Sequence, residues 1–274
     1  MTRLPALGLR VVALEMAAVG PRPAAAQLYQ PLAQRAFLTT GARDERAIWV
    51  NPAGLSRRLQ ASLGADLTAE RVAGEVRLAQ YGVSLASRTL GFGWKHDRYP
   101  GGSSSNTYAV GVGLGDDVLS AGFTHRWNQG GQGAWDIGLR GRATAGLDVS
   151  LLWRNIGSPI VRDSVYRDSF VPAAAWRLPG GRVLAGVEAD VPGNLGSPRE
   201  VRAGVVLTIV PRLAVSCRGA FSGSVARRGL VVTVELGDLP YRGTVAALLP
   251  SGGGLGAVGL AGALVGEMPG PQRR

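Results

Sequence analysis

Between Thr107 and Trp153, apolar residues fall on every second position in four short runs. Tyr108, Val110, Val112 and Leu114 alternate with Thr107, Ala109, Gly111 and Gly113. Leu119, Ala121, Phe123 and Trp127 share one parity, against Ser120, Gly122, Thr124 and Arg126. Trp135, Ile137 and Leu139 oppose Asp136, Gly138, Arg140 and Arg142, and Leu147, Val149, Leu151 and Trp153 oppose Asp148, Ser150 and Arg154. Successive strand side chains point to opposite faces, so a period of two predicts β-strands with one apolar face and one polar or glycine face. Four in succession predict one continuous antiparallel sheet.

The same pattern recurs on both sides of this stretch. It predicts strands at 60–69, 75–86 and around Leu90 to Trp94, and again at 171–178, 182–191, 201–209, 213–221, 230–236, 241–249 and 255–265. With the first four runs that makes about fourteen, the last of them glycine-rich and without aromatics. The connections alternate in length. Six short turns, at 87–89, 115–117, 143–146, 179–181, 210–212 and 237–240, interleave with longer stretches such as 96–106, 155–169 and 192–200. Short turns on one side and longer loops on the other are the signature of an outer-membrane barrel. The fold class predicted is all-β: a transmembrane, antiparallel, up-and-down barrel, with its valine, leucine and aromatic parity facing lipid. The other parity then lines the bore, carrying Arg77, Asp136, Arg140, Arg142, Asp148, Arg154, Glu188, Asp190, Arg202, Arg218 and Glu235. An arginine turned to lipid at midplane costs about 2–4 kcal/mol, which fixes the direction. Trp94, Trp127, Trp153 and Tyr241 fall near strand ends, where interfacial aromatic girdles belong.

Composition changes this picture little. Of 274 residues, 46% are hydrophobic and 18% charged, with 41 glycines. The net charge of +11 would suggest nucleic acid in a soluble protein, but no basic helix, zinc spacing or aromatic RNA-binding motif accompanies it. Lumenal lining and loop charge account for it, and nucleic acid is not an expected partner. One cysteine excludes an internal disulfide framework, and two histidines leave little for a metal site. At the amino terminus, Arg3 precedes a mostly apolar stretch and the small residues Ala24, Ala25 and Ala26. Residues 1–26 therefore read as an export signal, despite Arg10 and Glu15 within it. No stretch reaches about 18 uninterrupted apolar residues, so a helical span is not expected.

Alternation is absent from 28–58. This part contains Asp44-Glu45-Arg46-Ala47-Ile48-Trp49-Val50-Asn51-Pro52-Ala53-Gly54-Leu55. On local physics, Asn-Pro-Ala-Gly is a compact turn: proline fixes its own φ and holds the preceding residue extended, and glycine permits close approach or positive φ. The segment also resembles the aspartate–x–x–alanine–apolar–NPAGL signature of the FadL/PorV-type outer-membrane barrels. The glycine-rich stretch that precedes that signature in the family is reduced here to Thr39-Thr40-Gly41-Ala42-Arg43. The resemblance implies a fourteen-strand barrel whose amino-terminal segment, 27–58, folds into the lumen as a hatch, with 59–266 as barrel and 267–274 as tail. It implies Trp49, Asn51, Pro52 and Gly54 as gate residues, the outer membrane as location, and a hydrophobic small molecule such as a fatty acid as cargo. Relatives that anchor or shuttle components of secretion machinery supply an alternative, a non-transporting role. A soluble β-rich binding protein is the third reading, which the alternating connection lengths oppose.

Catalytic chemistry is not expected. His96 and His125 have no serine or acidic partner at a recognisable spacing, and neither GxSxG nor HExxH occurs. Asp116-Asp117 reads as turn capping, and no cofactor is implied.

Overall fold

The computed structural model describes residues 31–35, 38–56, 60–99, 102–161, 164–223, 226–238 and 240–267. The expected export signal at 1–26, residues 27–30, 36–37 and 57–58 of the expected hatch, and 268–274 of the tail lie outside the described residues. The strands are β1 (Gln60–Val72), β2 (Glu75–Ser87), β3 (Leu90–Arg98), β4 (Ser104–Gly115), β5 (Leu119–Asn128), β6 (Gly133–Thr144) and β7 (Leu147–Ile156). A two-strand ladder of β8 (Ile160–Val161) and β9 (Ser164–Val165) follows within a loop. The wall then resumes with β10 (Ser169–Arg177), β11 (Val183–Pro192), β12 (Glu200–Val210), β13 (Leu213–Ser222), β14 (Arg227–Asp238), β15 (Tyr241–Pro250) and β16 (Ala257–Glu267).

All but β8 and β9 form one closed antiparallel barrel of fourteen strands, each paired with its chain neighbour, β7 with β10 and β16 with β1. Closure falls to the glycine-rich last strand. It pairs with β1 without interruption from Gln60↔Glu267 to Glu70↔Ala257, so the wall has no free edge. We call the end where β1 begins and β16 finishes the base, and the opposite end the rim.

The strands run beyond their apolar runs. His96 to Arg98 and Ser104 to Asn106, which read as loop from their polarity, are paired strand. Pairing keeps the backbone hydrogen bonds made after the side chains have turned polar. The first rim connection is also shorter than expected: only 73–74, both with positive φ (51° and 91°), the requirement of a tight two-residue hairpin. A slip of one register at Thr68/Ala69 leaves Ala79 unpaired. This bulge turns Arg77 to the same side as Glu70, with which it forms an ion pair.

The two faces are those of a membrane barrel. Leu63, Leu85, Val110, Phe123, Leu139, Val205, Leu207 and Leu260 stand exposed on the outside, while Ser84, Lys95, Thr124, Asp136, Ser150, Glu188 and Arg202 are buried within. This inverts the arrangement of a water-soluble domain. A closed cylinder in which every wall strand is paired on both sides leaves no open edge in hydrocarbon. The chain is therefore a β-barrel of outer-membrane type. Val205→Arg, at the middle of β12 on the outer face, is expected to lower unfolding free energy by about 2–4 kcal/mol in lipid vesicles, read by urea titration. Thr233→Arg, which points inward, should lack that depth-dependent penalty.

Rings line the outer wall near the rim on one flank. Tyr81 meets Trp94 edge-on at 5.7 Å, Tyr108 stacks on Trp127 at 5.8 Å, and His125 lies between Trp127 (5.3 Å) and Trp135 (4.4 Å). Trp153 and Phe170 continue the row at 5.4 Å. Trp176 and Tyr241 lie at the base ends of β10 and β15.

Candidate functional site: the segment inside the bore

The described residues that precede β1, 31–35 and 38–56, lie within the barrel. Leu32–Gln34 forms a 3-10 turn whose Leu32 and Ala33 pack against Val231, Ala246 and Ala257 of the wall. The chain then reaches Thr39, whose amide donates to Glu188 Oε2 at 2.9 Å and whose hydroxyl meets Ser150 Oγ at 2.9 Å. It continues through Asp44 to a single helical turn, α1 (Ala47–Val50), and a second 3-10 turn at Pro52–Ser56. Asn51 between them is extended (φ −160°, ψ 111°), as a residue before proline must be.

Local hydrogen bonds hold the Asn-Pro-Ala-Gly turn. Asn51 Nδ2 donates to the Thr39 carbonyl at 3.0 Å, and Asn51 Oδ1 accepts from the Ala53 amide at 3.1 Å. The Gly54 amide closes the turn on the Asn51 carbonyl at 3.0 Å. A Cβ on Gly54 would overlap the Ala42 carbonyl oxygen, so this position takes only glycine. Ile48, Trp49, Val50 and Leu55 form a buried apolar cluster with Ala42, Ala47 and the wall residues Ala86 and Ala109. Trp49 satisfies its indole N–H by donating to Ser84 Oγ at 2.7 Å. All four expected gate residues, Trp49, Asn51, Pro52 and Gly54, thus belong to one buried unit.

The wall beneath this unit has lost its side chains. A Cβ on Gly91 would come within 2.8 Å of Leu55, on Gly93 within 2.5 Å of Trp49, on Gly111 within 2.8 Å of Ile48 and on Gly113 within 2.6 Å of the Ser56 amide. On Gly122 and Gly138 it would overlap Pro52 and Asn51 outright. These six glycines occupy the inward parity of β3 to β6, and the segment rests on bare backbone there.

At the base, charge holds the segment on opposite sides of the bore. Arg43 reaches Asp117 (3.2 Å) and Asp148 (3.3 Å); Arg46 reaches Asp44 (2.6 Å) and Glu235 (2.7 Å). Arg242 of β15 clasps Asp44 at 2.7 Å and Glu45 at 2.6 Å. Burial works to raise the Asp44 carboxyl, but Arg46 and Arg242 overcome it and hold the group below the usual carboxylate range. For Glu45 burial and the neighbouring Asp44 prevail, and its pKa is raised.

The rim half of the bore is filled by ion pairs. Lys95 donates to Asp97 (2.8 Å), Arg126 to Asp136 (2.7 Å) and Arg154 to Asp190 (2.8 Å). Arg202 binds Glu200 (2.5 Å) and Glu188, and Arg218 shares Glu188 at 3.2 Å. Of the expected lining residues, Asp136, Arg154, Glu188, Asp190, Arg202 and Arg218 belong to these pairs. Arg140 (3.8 Å) and Arg142 (3.5 Å) gather on Asp148 at the base, Arg142 half exposed. Glu235 holds Arg46, and Arg77 stands apart near the rim with Glu70. Lys95, Asp97, Arg126, Glu200, Arg242 and the Asp44–Arg46 run are the participants not singled out from the sequence. Lys95 and Asp97 were readable there, since they take the parity opposite Leu90, Phe92 and Trp94.

No protein-family profile matches the chain, and no curated protein does. Among solved structures it is similar to the CymD monoaromatic hydrocarbon channel (TM-score 0.59, 8% identity, covering 88% of this chain and 98% of that one). It is similar also to the toluene transporter TodX of P. putida (TM-score 0.52, 11% identity, 88% and 99%). The outer membrane protein Omp33 of Acinetobacter baumannii matches at TM-score 0.51 and 8% identity, over 76% and 99%. At such identities the likeness is one of fold: the barrel is that of outer-membrane proteins.

Proposed function

We propose that this barrel passes small hydrophobic molecules across the outer membrane, with the segment around Trp49, Asn51, Pro52 and Gly54 as its gate. The observation that carries the reading is the seat itself: an apolar turn rests on bare wall backbone, so the segment can leave as a unit without breaking the strand ladder. The apolar side chains Ile48, Trp49 and Leu55 offer the greasy contact a hydrocarbon would need. Two proteins of similar fold are a hydrocarbon channel and a toluene transporter by name, which supports the cargo class. No chemical step is assigned, and the gate residues act by position.

A second reading, a non-transporting anchor or shuttle subunit, is favoured by the ion pairs that fill the rim half of the bore, an unwelcoming path for an apolar molecule. Entry of labelled toluene and oleate into a Gram-negative host lacking its own such channels separates the two, because there the sugar-coated outer leaflet is the barrier. Expression of the chain is expected to raise the entry rate. Entry no faster than in the parent strain sinks the transport reading and leaves the anchor.

A further inference from the structure

The outer wall at the rim of β2 to β5 is built in two tiers. The lower tier is made of rings: Tyr81, Trp94, Tyr108 and Trp127. The upper tier is polar. On the same outward parity, His96 and Arg98 follow Trp94, and Ser104 and Asn106 precede Tyr108. Cross-strand pairing sets His96 between Tyr81 and Asn106, and Arg98 beside Ser104. Just past the end of β5, Gln129 joins them, its backbone amide donating to the Asn106 carbonyl at 3.1 Å.

This upper tier is rich in donors and carries no acid. His96 Nδ1 and Asn106 Oδ1 are 2.9 Å apart, and Asn106 Nδ2 donates to Gln129 Oε1 at 3.1 Å. Both amide oxygens of the row are thus engaged, whereas the side-chain N–H groups of the exposed Gln129 meet no acceptor among the described residues. The exposed Arg98 guanidinium lies 5.7 Å from the centroid of the Tyr81 ring and meets no carboxylate among the described residues. Of the outward residues of β2 to β5 none is acidic. Asp97 and Glu70, nearby at the rim, take the inward parity and are paired with Lys95 and Arg77. Arg71, outward and exposed at the rim end of β1, adds a second guanidinium two strands from Arg98.

Depth and side identify the occupant. The rim connections at 99–103, 157–168 and 193–199 are longer than the base turns at 88–89, 145–146 and 211–212, which makes the rim the external end. Rings of this kind sit at headgroup level, so the donors above them stand among the headgroups of the outer leaflet. In an outer membrane those are sugars that bear phosphates. A guanidinium held over a ring presents its planar fork to a phosphate, and the ring faces below take the apolar side of a sugar or the first methylenes of an acyl chain. We infer that this flank binds the phosphorylated headgroup of an outer-leaflet glycolipid, with Arg98 and Gln129 donating to a phosphate above Tyr81 and Trp127. The site lies on the outer wall and is independent of what the bore passes.

The test folds the full chain into phosphatidylcholine vesicles that carry a small fraction of diphosphoryl lipid A, of dephosphorylated lipid A or of phosphatidylglycerol. After extraction in mild detergent, native mass spectrometry counts the lipids that stay on the barrel. Diphosphoryl lipid A is expected to be retained about tenfold more than either of the others. Arg98→Gln should remove most of that preference and Gln129→Ala part of it, while Arg182→Gln, on an exposed base turn, should leave it intact. Equal retention of dephosphorylated lipid A would mean that the rings alone hold the lipid, and equal retention of phosphatidylglycerol that diffuse charge does; either result overturns the inference. A preference undiminished in both rim variants places the site elsewhere and also overturns it. Should Arg98→Gln not fold, Gln129→Ala, which lies outside the strand ladder, decides.

Discussion

Gly138→Val is expected to expel the Asn51–Gly54 turn from its seat and to open the bore. The added Cβ would overlap Asn51 Oδ1 and lie 3.2 Å from Pro52 Cδ before the γ carbons are counted. The strand cannot retreat, because Gly138 is paired on both sides, to Gly122 and Leu152. The segment must move, and with it go the bonds from Asn51 to Thr39 and Ala53, each worth about 1 kcal/mol. Overpacking contributes a further 1–3 kcal/mol, roughly. A total of about 3–5 kcal/mol shifts the balance between seated and displaced segment by about a hundredfold or more. Conductance in planar bilayers should rise, and 31–56 should become cleavable by added protease. Gly141→Ala is the control, since its nearest neighbour would be 3.7 Å away. Unchanged conductance together with unchanged protease resistance in Gly138→Val would refute the seat as the element that holds the bore shut.

The second large effect concerns Glu188. This fully buried carboxylate serves Arg202, Arg218 and the Thr39 amide together. Glu188→Ala leaves two guanidiniums without the acceptor they share in a space of low dielectric, and removing one member of a buried ion cluster costs about 3–5 kcal/mol. The urea midpoint in lipid vesicles should fall accordingly. The same principle makes a second, opposite forecast. Replacing the cluster together with the other carboxylate of Arg202, as Glu188→Leu, Glu200→Leu, Arg202→Met and Arg218→Met, should restore part of the loss, because ions that break even against their desolvation are replaceable by packed apolar groups. If Glu188→Ala unfolds with the parent chain, the ion pairs contribute little and the bore is held by other means.

Much of the barrel was legible in the sequence, for a physical reason. Lipid outside and polar contents inside force a strict period of two, so parity alone places Asp136, Glu188 and Arg202 in the bore and Phe123, Leu139 and Val205 in hydrocarbon. Parity is blind to a bulge, and the facing of Arg77 depends on one, at Ala79. Strand ends were less visible, because His96 to Arg98 are polar residues that nevertheless stay paired above the hydrocarbon. The seat on β3 to β6 shows in the sequence only as glycine on the polar parity. That glycine makes room for Asn51, Pro52, Trp49 and Leu55 requires the three-dimensional path of the segment. The partners of Arg242 are equally hidden, since Asp44 and Glu45 lie about two hundred residues away in a stretch with no period at all.

The row of stacked rings bears on how the cylinder stands in its bilayer. Tryptophan, tyrosine and histidine favour the headgroup zone, where an apolar body and a polar tip are both satisfied. They hold β2 to β7 and β10 at one depth. β14, β15, β16 and β1 present Leu230, Leu249, Val258 and Ala69 at the corresponding height, side chains indifferent to depth within hydrocarbon. At the rim, one flank is thus moored and the other is not, its interfacial ring being Tyr241 at the base of β15. In a thinner or thicker membrane the cylinder is expected to lean about its moored flank and not to sink as a whole.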